Sequence, residues 1–420
     1  MTEKTSEPVP SGKALLDRSD VRVTHATGIS GTIRSFSEKV RSGDLGSLPV
    51  IVGLVIIWTV FTSLNPIFLS PNNLVNLLFD CSTVGVISLG IVCVLLLGEI
   101  DLSVGSMSGV SSALVGLLWV NKGWPLAAAV VVALVVGAVT GAIYAQLRTR
   151  LGMPSFVSTL SGLLALLGLQ LFLLGSTGSI NLPYGSDMVN FGQLLIIPGW
   201  LSGLFALLPG VVSFAAALRT RRQRQVSSLS SGSTGAILVR AAALTFGLEL
   251  IVYYLNQGRG VPWMFGLFVL LVISMNYAFT RTQWGRSMMA VGGNSEAARR
   301  AGINVKKIYF SAFVGCSMLA AIGGVLSAAR LASASQQAGT GDVNLNAIAA
   351  AVIGGTSLFG GRGSAWSALL GIIVIQSISN GLTLLSLSSS LRYMITGAVL
   401  AIAVIVDSLA RQSRVSHGRA

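Results

Sequence analysis

From residue 48 onward the chain returns repeatedly to stretches of about twenty residues with almost no charge, the length an α-helix needs to cross the hydrocarbon of a bilayer. The stretches are 48–64, 74–97, 102–120, 125–145, 155–174, 199–218, 236–255, 262–280, 308–327, 345–361, 365–385 and 392–410. Such a pattern predicts an all-α polytopic membrane bundle of about 12 spans. Of the 420 residues 52% are hydrophobic and only 10% charged, whereas a soluble domain carries about a quarter charged. Segment 345–361 is short and glycine-rich. It reads as a half-helix or re-entrant element, which is tolerated where protein or a water-filled cavity covers the backbone.

The 28 basic residues test the topology, because cytoplasmic loops are enriched in Lys and Arg. With the N-terminus inside, the basic residues of the N-terminal arm fall inside. So do Arg148, Arg150, those from Arg219 to Arg240 and from Arg281 to Lys307, Arg362 and those of the C-terminal tail. Lys122, Arg259, Arg330 and Arg392 remain outside. Both termini are therefore expected in the cytoplasm, and the net charge of +14 reads as topology rather than as a nucleic-acid footprint. Trp119, Trp124, Trp200, Trp263 and Trp284 fall at span ends, as an interfacial belt requires. Residues 1–46 read as a polar, disordered cytoplasmic arm, 47–411 as the transmembrane domain, 412–420 as a cytoplasmic tail, and 219–235 as a flexible loop.

Catalytic chemistry is missing. No G-x-x-x-x-G-K-[ST] phosphate loop occurs, and both histidines, His25 and His417, lie in the tails. Cys81, Cys93 and Cys316 sit in apolar runs, where packing is the expected role. The chain is not expected to be an enzyme or to bind a cofactor or metal. The informative polar residues interrupt the spans. In GEIDLSVGS (98–106), Glu99 and Asp101 stand where an unpaired charge is costly, so they face a cavity, a helix end or another protein. Asp101 can cap the next span, touch a transported substrate, or support the pathway indirectly. The spacing G-x-x-[DS]-L-x-x-G recurs from Gly354 to Gly361, a faint internal echo of the sort that transporter repeats leave. Glu249, inside the seventh span, suits a structural or cytoplasm-accessible position better than a proton relay. Asp407 reads as an interface residue near Arg411.

Between two spans, GRSMMAVGGNSEAARRAGINV (285–305) spells a short helix. Asn294 is the N-cap, Glu296 lies in the first turn, and Ala297, Ala298, Arg299 and Arg300 precede the stop at Gly302. A helix with a small apolar face and a basic face fits a groove on a partner, or rests beside anionic lipid.

These residues together bring a family into view. The chain resembles the permeases of bacterial monosaccharide ABC importers, the ribose, arabinose and xylose group, from about residue 48 to 411. The likeness is carried by GEIDLSVGS, PSFVSTL (154–160), RGVP (259–262), the 285–305 segment, LNAIAAAVIGGTSLFGGRGS (345–364) and NGLTLL (380–385). Within that group the chain resembles the xylose permeases, since two extra spans (199–255) with an Arg-rich connection interrupt what is a ten-span core in the ribose permeases. By resemblance, Glu296, Ala297, Ala298 and Gly302 match the EAA-x-x-x-G coupling loop of residues 286–307, which docks into an ATPase. The Leu-Pro pair that follows in some importers is absent here. The likeness also implies a homodimer, a separate ATP-binding subunit with two fused nucleotide-binding domains that uses ATP and Mg, and an extracytoplasmic sugar-binding protein.

A neutral sugar asks its path for hydrogen bonds without dense charge. Glu99, Asp101, Ser103, Ser106, Thr356, Ser357 and Asn380 are the candidates, although each hydroxyl or amide can instead satisfy a neighbouring backbone. Residues 328–345, with Arg330, Gln336, Gln337, Asp342 and Asn344, are expected to form an outer loop facing the binding protein. A proton-coupled sugar carrier using Glu249 and Glu99, or a membrane scaffold, are the alternative functions.

Overall fold

The computed structural model describes residues 48–391 except 228, 230–232, 340, 341 and 389, and a few positions between 394 and 405. The expected arm 1–46, most of the span 392–410, Asp407 and the tail 412–420 lie outside the described residues. The rest is helix. In order come α1 (Leu48–Leu64), α2 (Pro71–Leu95), α3 (Val104–Val115) continued by a π-helical turn (Gly116–Asn121), α4 (Leu126–Arg150) and α5 (Ser155–Leu174). Then follow α6 (Asp187–Gln193), α7 (Gly199–Val226), α8 (Thr234–Asn256), α9 (Trp263–Arg281), α10 (Gln283–Gly293), α11 (Ser295–Arg300), α12 (Val305–Leu331), α13 (Asp342–Ile353) and α14 (Ala365–Leu384). Among the described residues nine helices are long and apolar enough to cross a membrane. The chain is a multi-pass membrane helix bundle.

Proline sets several starts. Pro71 occupies the first turn of α2, and Pro125, Pro154 and Pro262 directly precede α4, α5 and α9, where a fixed φ suits a helix start and the preceding residue stays extended. α2 is the central element, with 89% of its most apolar stretch buried. Its neighbours α12, α13 and α14 surround it, and Phe79, Ile87, Leu89, Leu95, Phe268 and Phe313 fill the core between them. Lipid is as apolar as these side chains, so van der Waals packing between helices holds the bundle. Gly141 shows how close that packing is. A Cβ there would strike the carbonyl of Phe313, so α4 lies backbone to backbone on α12.

α4, α9 and α12 place Arg148, Arg150, Arg281, Lys306 and Lys307 at one end of the bundle, the basic end. At the other end a two-stranded antiparallel ribbon joins β1 (Ser179–Asn181) to β2 (Ser333–Ser335), with Ile180 opposite Ala334. Past β2 the chain does not stay in an outer loop. Ala334 packs on Gly116, Ala338 on Gly109 and Gly339 on Gly105, so the segment descends along α3. α13 then begins inside the bundle. At twelve residues and about 18 Å it cannot cross a bilayer alone, and Gly354 and Gly355, the latter at φ +105°, end it before the non-helical 354–364 loop.

Pro198–Tyr254 forms a compact unit of its own, an antiparallel pair of α7 and α8 in which Gly210 is packed by Thr245. α7 does not stop at 218. It runs through Arg219, Arg221, Arg222 and Arg224 to Val226, so the first part of the expected 219–235 loop is helical. Arg and Gln are good helix formers, and a charged helical extension has the same composition as a polar loop.

Candidate functional site

The link between α2 and α3 is built by Gly98. Its φ of +74° ends α2, and the Gly98 and Glu99 N–H groups close back on the carbonyls of Leu95 and Val94, the Schellman pattern that satisfies orphan carbonyls at a helix C-terminus. Hydroxyls at the start of α5 hold the next stretch. Ser155 Oγ accepts from Ile100 N–H and Thr159 Oγ1 from Leu102 N–H. Segments 98–106 and 154–160, both singled out in the sequence, are therefore one structural piece.

Glu99 is paired. Its carboxylate lies 2.7 Å from Arg148 Nε, with only 10% of the side chain exposed, and the Arg148 guanidinium sits 5.4 Å over the Tyr309 ring. Beside the pair opens a cavity of about 330 Å³ lined by Gly98, Glu99, Ile100, Arg148, Gly152, Pro154, Ser155 and Phe156. Asp101 is fully buried. Its Oδ1 accepts from the N–H and hydroxyl of Ser103 at 2.8 and 2.7 Å, and its Oδ2 lies 3.8 Å from Cys316 Sγ. Of the roles open to Asp101, the geometry favours shaping the turn that starts α3. The free N–H of Gly105 is taken from across the fold by Asn344 Oδ1. Ser106, the next residue of α3, is buried.

The 354–364 loop contributes Thr356 and Ser357. Thr356 is fully buried and its hydroxyl has no partner among the described residues. Ser357 shapes a turn, bonding the Arg362 carbonyl through its N–H and the Phe359 N–H through its hydroxyl. The loop meets the α2–α3 link directly, since Gly361 N–H donates to the Leu96 carbonyl at 2.9 Å. Asn380 stands apart. It exchanges two amide hydrogen bonds with Asn73 near the other end of α2, roughly 33 Å from the link by helix rise.

The 282–304 segment is an ordered arm. Asn294 Oδ1 accepts from Ala297 N–H at 2.9 Å and caps α11. Gly302, at φ +85°, stops it, with Gly302 and Ile303 N–H bonding the carbonyls of Arg299 and Ala298, and Asn304 caps α12. Ala298 is buried, whereas Glu296, Arg299 and Arg300 point outward with side chains 50%, 69% and 80% exposed. The Arg299 guanidinium hydrogen-bonded to Glu296 holds its carboxyl below the usual carboxylate range.

Two expectations change. Arg330 does not face outward from a loop. It pairs with Asp80 at 2.9 Å and lies 5.0 Å from the Phe79 ring, which Arg259 approaches at 5.8 Å. Asn344 is likewise committed to Gly105. Asp80 escaped sequence reasoning although its signal was plain, a carboxylate within an apolar span. Glu249 is half-buried on α8.

Residues 73–404 match the family model described as branched-chain amino acid transport system / permease component. The chain belongs to this permease family. The permease is 35% identical over 377 residues to the xylose transport system permease protein of Escherichia coli (strain K12), covering 89% of this chain and 94% of that one. It is 30% identical over 366 residues to the ribose import permease protein of the same organism, covering 85% and 92%. To a probable ABC transporter permease protein, also of Escherichia coli (strain K12), it is 33% identical over 372 residues, covering 88% and 92%. No solved structure matches the permease.

Proposed function

We propose that the protein is the transmembrane permease subunit of an ATP-driven importer that carries a monosaccharide, a pentose such as D-xylose, across the bacterial cytoplasmic membrane. The observation that carries this is the match to sugar permeases along nearly the whole chain. The capped, outward-facing α11 supports it with a docking element where the importer reading needs one. The basic end is cytoplasmic by the positive-inside rule. Both termini then lie in the cytoplasm, and the chain has 12 spans when α1, α13 and the 392–410 stretch are added to the nine long apolar helices.

In this reading the chain itself binds no cofactor. ATP and Mg belong to a cytoplasmic ATPase with two fused nucleotide-binding domains, and a binding protein delivers sugar outside. Two permease copies frame the pathway. Asn294, Glu296, Ala297, Ala298, Arg299, Arg300 and Gly302 present α11 to the ATPase, and nucleotide-driven movement of α11 shifts the balance between outward- and inward-open states. Such a shift requires that ATP bind one state more tightly than the other. The cavity at Glu99, Arg148 and Ser155 lies at the cytoplasmic mouth and offers hydroxyl, carboxylate and guanidinium groups to a departing sugar.

The test is uptake by proteoliposomes that contain the permease, its ATPase and its binding protein. Labelled xylose should accumulate only with ATP inside, ahead of ribose and glucose. Uptake driven by a proton gradient without the ATPase would replace this reading with a secondary carrier.

A further inference from the structure

Gly292 lies two residues before Asn294, the N-cap of α11, in the last turn of α10. It touches the α2–α3 link and the 354–364 loop at the same point. A Cβ on Gly292 would land on the Leu96 carbonyl and within 2.7 Å of the Gly361 nitrogen. One on Gly360 would meet the Gly292 carbonyl at 2.7 Å and the Gly98 nitrogen at 2.8 Å, and one on Gly98 would meet the Phe359 carbonyl at 3.2 Å. Three segments that are distant in sequence thus converge with only backbone between them, and Gly361 N–H to Leu96 carbonyl is the hydrogen bond that closes the point.

We infer that this three-glycine junction is where movement of the α11 arm reaches the sugar pathway, with Gly292 as the positioning residue that lets it close. The inference rests on the importer reading. The lever is short. Gly292 is three residues from the first residue of the docking helix, Leu96 is three residues from Glu99, and Gly361 belongs to the loop that carries Thr356 and Ser357. Backbone contacts of this kind have little slack, because no side chain can rotate to absorb a displacement. The adjacent residue supplies the control. A Cβ on Gly293 would meet no heavy atom within 4 Å, so G293A perturbs the same turn without entering the junction.

The experiment uses the reconstituted transporter with ATPase and binding protein, measuring assembly, ATP hydrolysis and labelled xylose uptake together. G292A should assemble and hydrolyse ATP while sugar moved per ATP falls about five- to tenfold, the scale of an ordinary coupling energy, and G293A should match the wild type. In the wild-type complex, hydrogen exchange at the Gly361 amide should change when a non-hydrolysable ATP analogue binds. Wild-type coupling in G292A, or equal losses in G292A and G293A, overturns the junction. Where G292A fails to assemble, exchange at Gly361 that ignores nucleotide overturns it instead. Absence of ATP-dependent uptake by the wild type sinks the importer reading itself, a result separable from an indifferent G292A in a working transporter.

Discussion

Glu99 and Arg148 show what one buried charge requires. The carboxylate is nearly covered and the guanidinium about two-thirds covered, so removing either partner leaves the other with an uncompensated desolvation cost. Glu99→Gln should lower stability by about 1–3 kcal/mol, and the double variant with Arg148→Met should recover part of that loss. Thermal unfolding of the detergent-solubilised protein reads both. Additive losses in the double variant would show that the pair contributes no coupling. Glu296 is the contrasting case, exposed and held ionised by Arg299. Its folded value is lowered, so what the pair adds is present at neutral pH and disappears only as acid takes the pH down through that value. Glu296→Lys puts a third cation on α11 and a positive charge at its N-terminus, against the helix dipole. ATPase binding should weaken about tenfold, measured by co-purification over a concentration series, with membrane insertion intact. Glu296→Gln should weaken binding less.

At the scale of elements, what the sequence reveals depends on how local the cause is. The spans were readable because a bilayer demands long apolar runs wherever they lie. α11 was readable because Asn294, Glu296 and Gly302 act within three or four residues of their partners. The brevity of α13 was readable from the glycines that follow it, Gly354 and Gly355. The descent of 333–339 along α3 was not, because what holds it is contact with Gly105, Gly109 and Gly116, more than two hundred residues away. For the same reason Arg330 and Asn344 looked like outward loop residues when their partners, Asp80 and Gly105, lie across the fold. The Arg-rich end of α7 misled in another way, since helix and loop there share one composition. Asn344 gives this scale its prediction. Asn344→Ala strips the Gly105 N–H of its acceptor inside the bundle, and an unpaired buried donor costs about 1–3 kcal/mol. Asn344→Asp keeps the acceptor and should cost less. A thermal melt that ranks alanine above aspartate would show that the side chain does not cap α3.

At the scale of the whole molecule, the Pro198–Tyr254 unit raises the question of what the remainder needs. The two points where it joins the rest of the chain are already tied to each other. Ile196 bridges Pro262, Ile197 N–H donates to the Val261 carbonyl, and Gly260 N–H returns to Leu255. A chain lacking residues 198–254, with Ile197 joined to Leu255 through a few glycines and serines, therefore has only a short gap to close, and loop length changes closure entropy slowly. The core around α2, α12, α13 and α14 buries its own apolar surface and keeps the Glu99 link, the glycine junction and α11. The shortened protein should insert, run as a monodisperse species in detergent and retain ATP-dependent sugar uptake with its ATPase and binding protein. Aggregation on solubilisation would show that α7 and α8 are required to complete the fold. A well-folded but inactive product would instead assign the pair a part in transport, because the elements proposed here to couple and conduct are all still present.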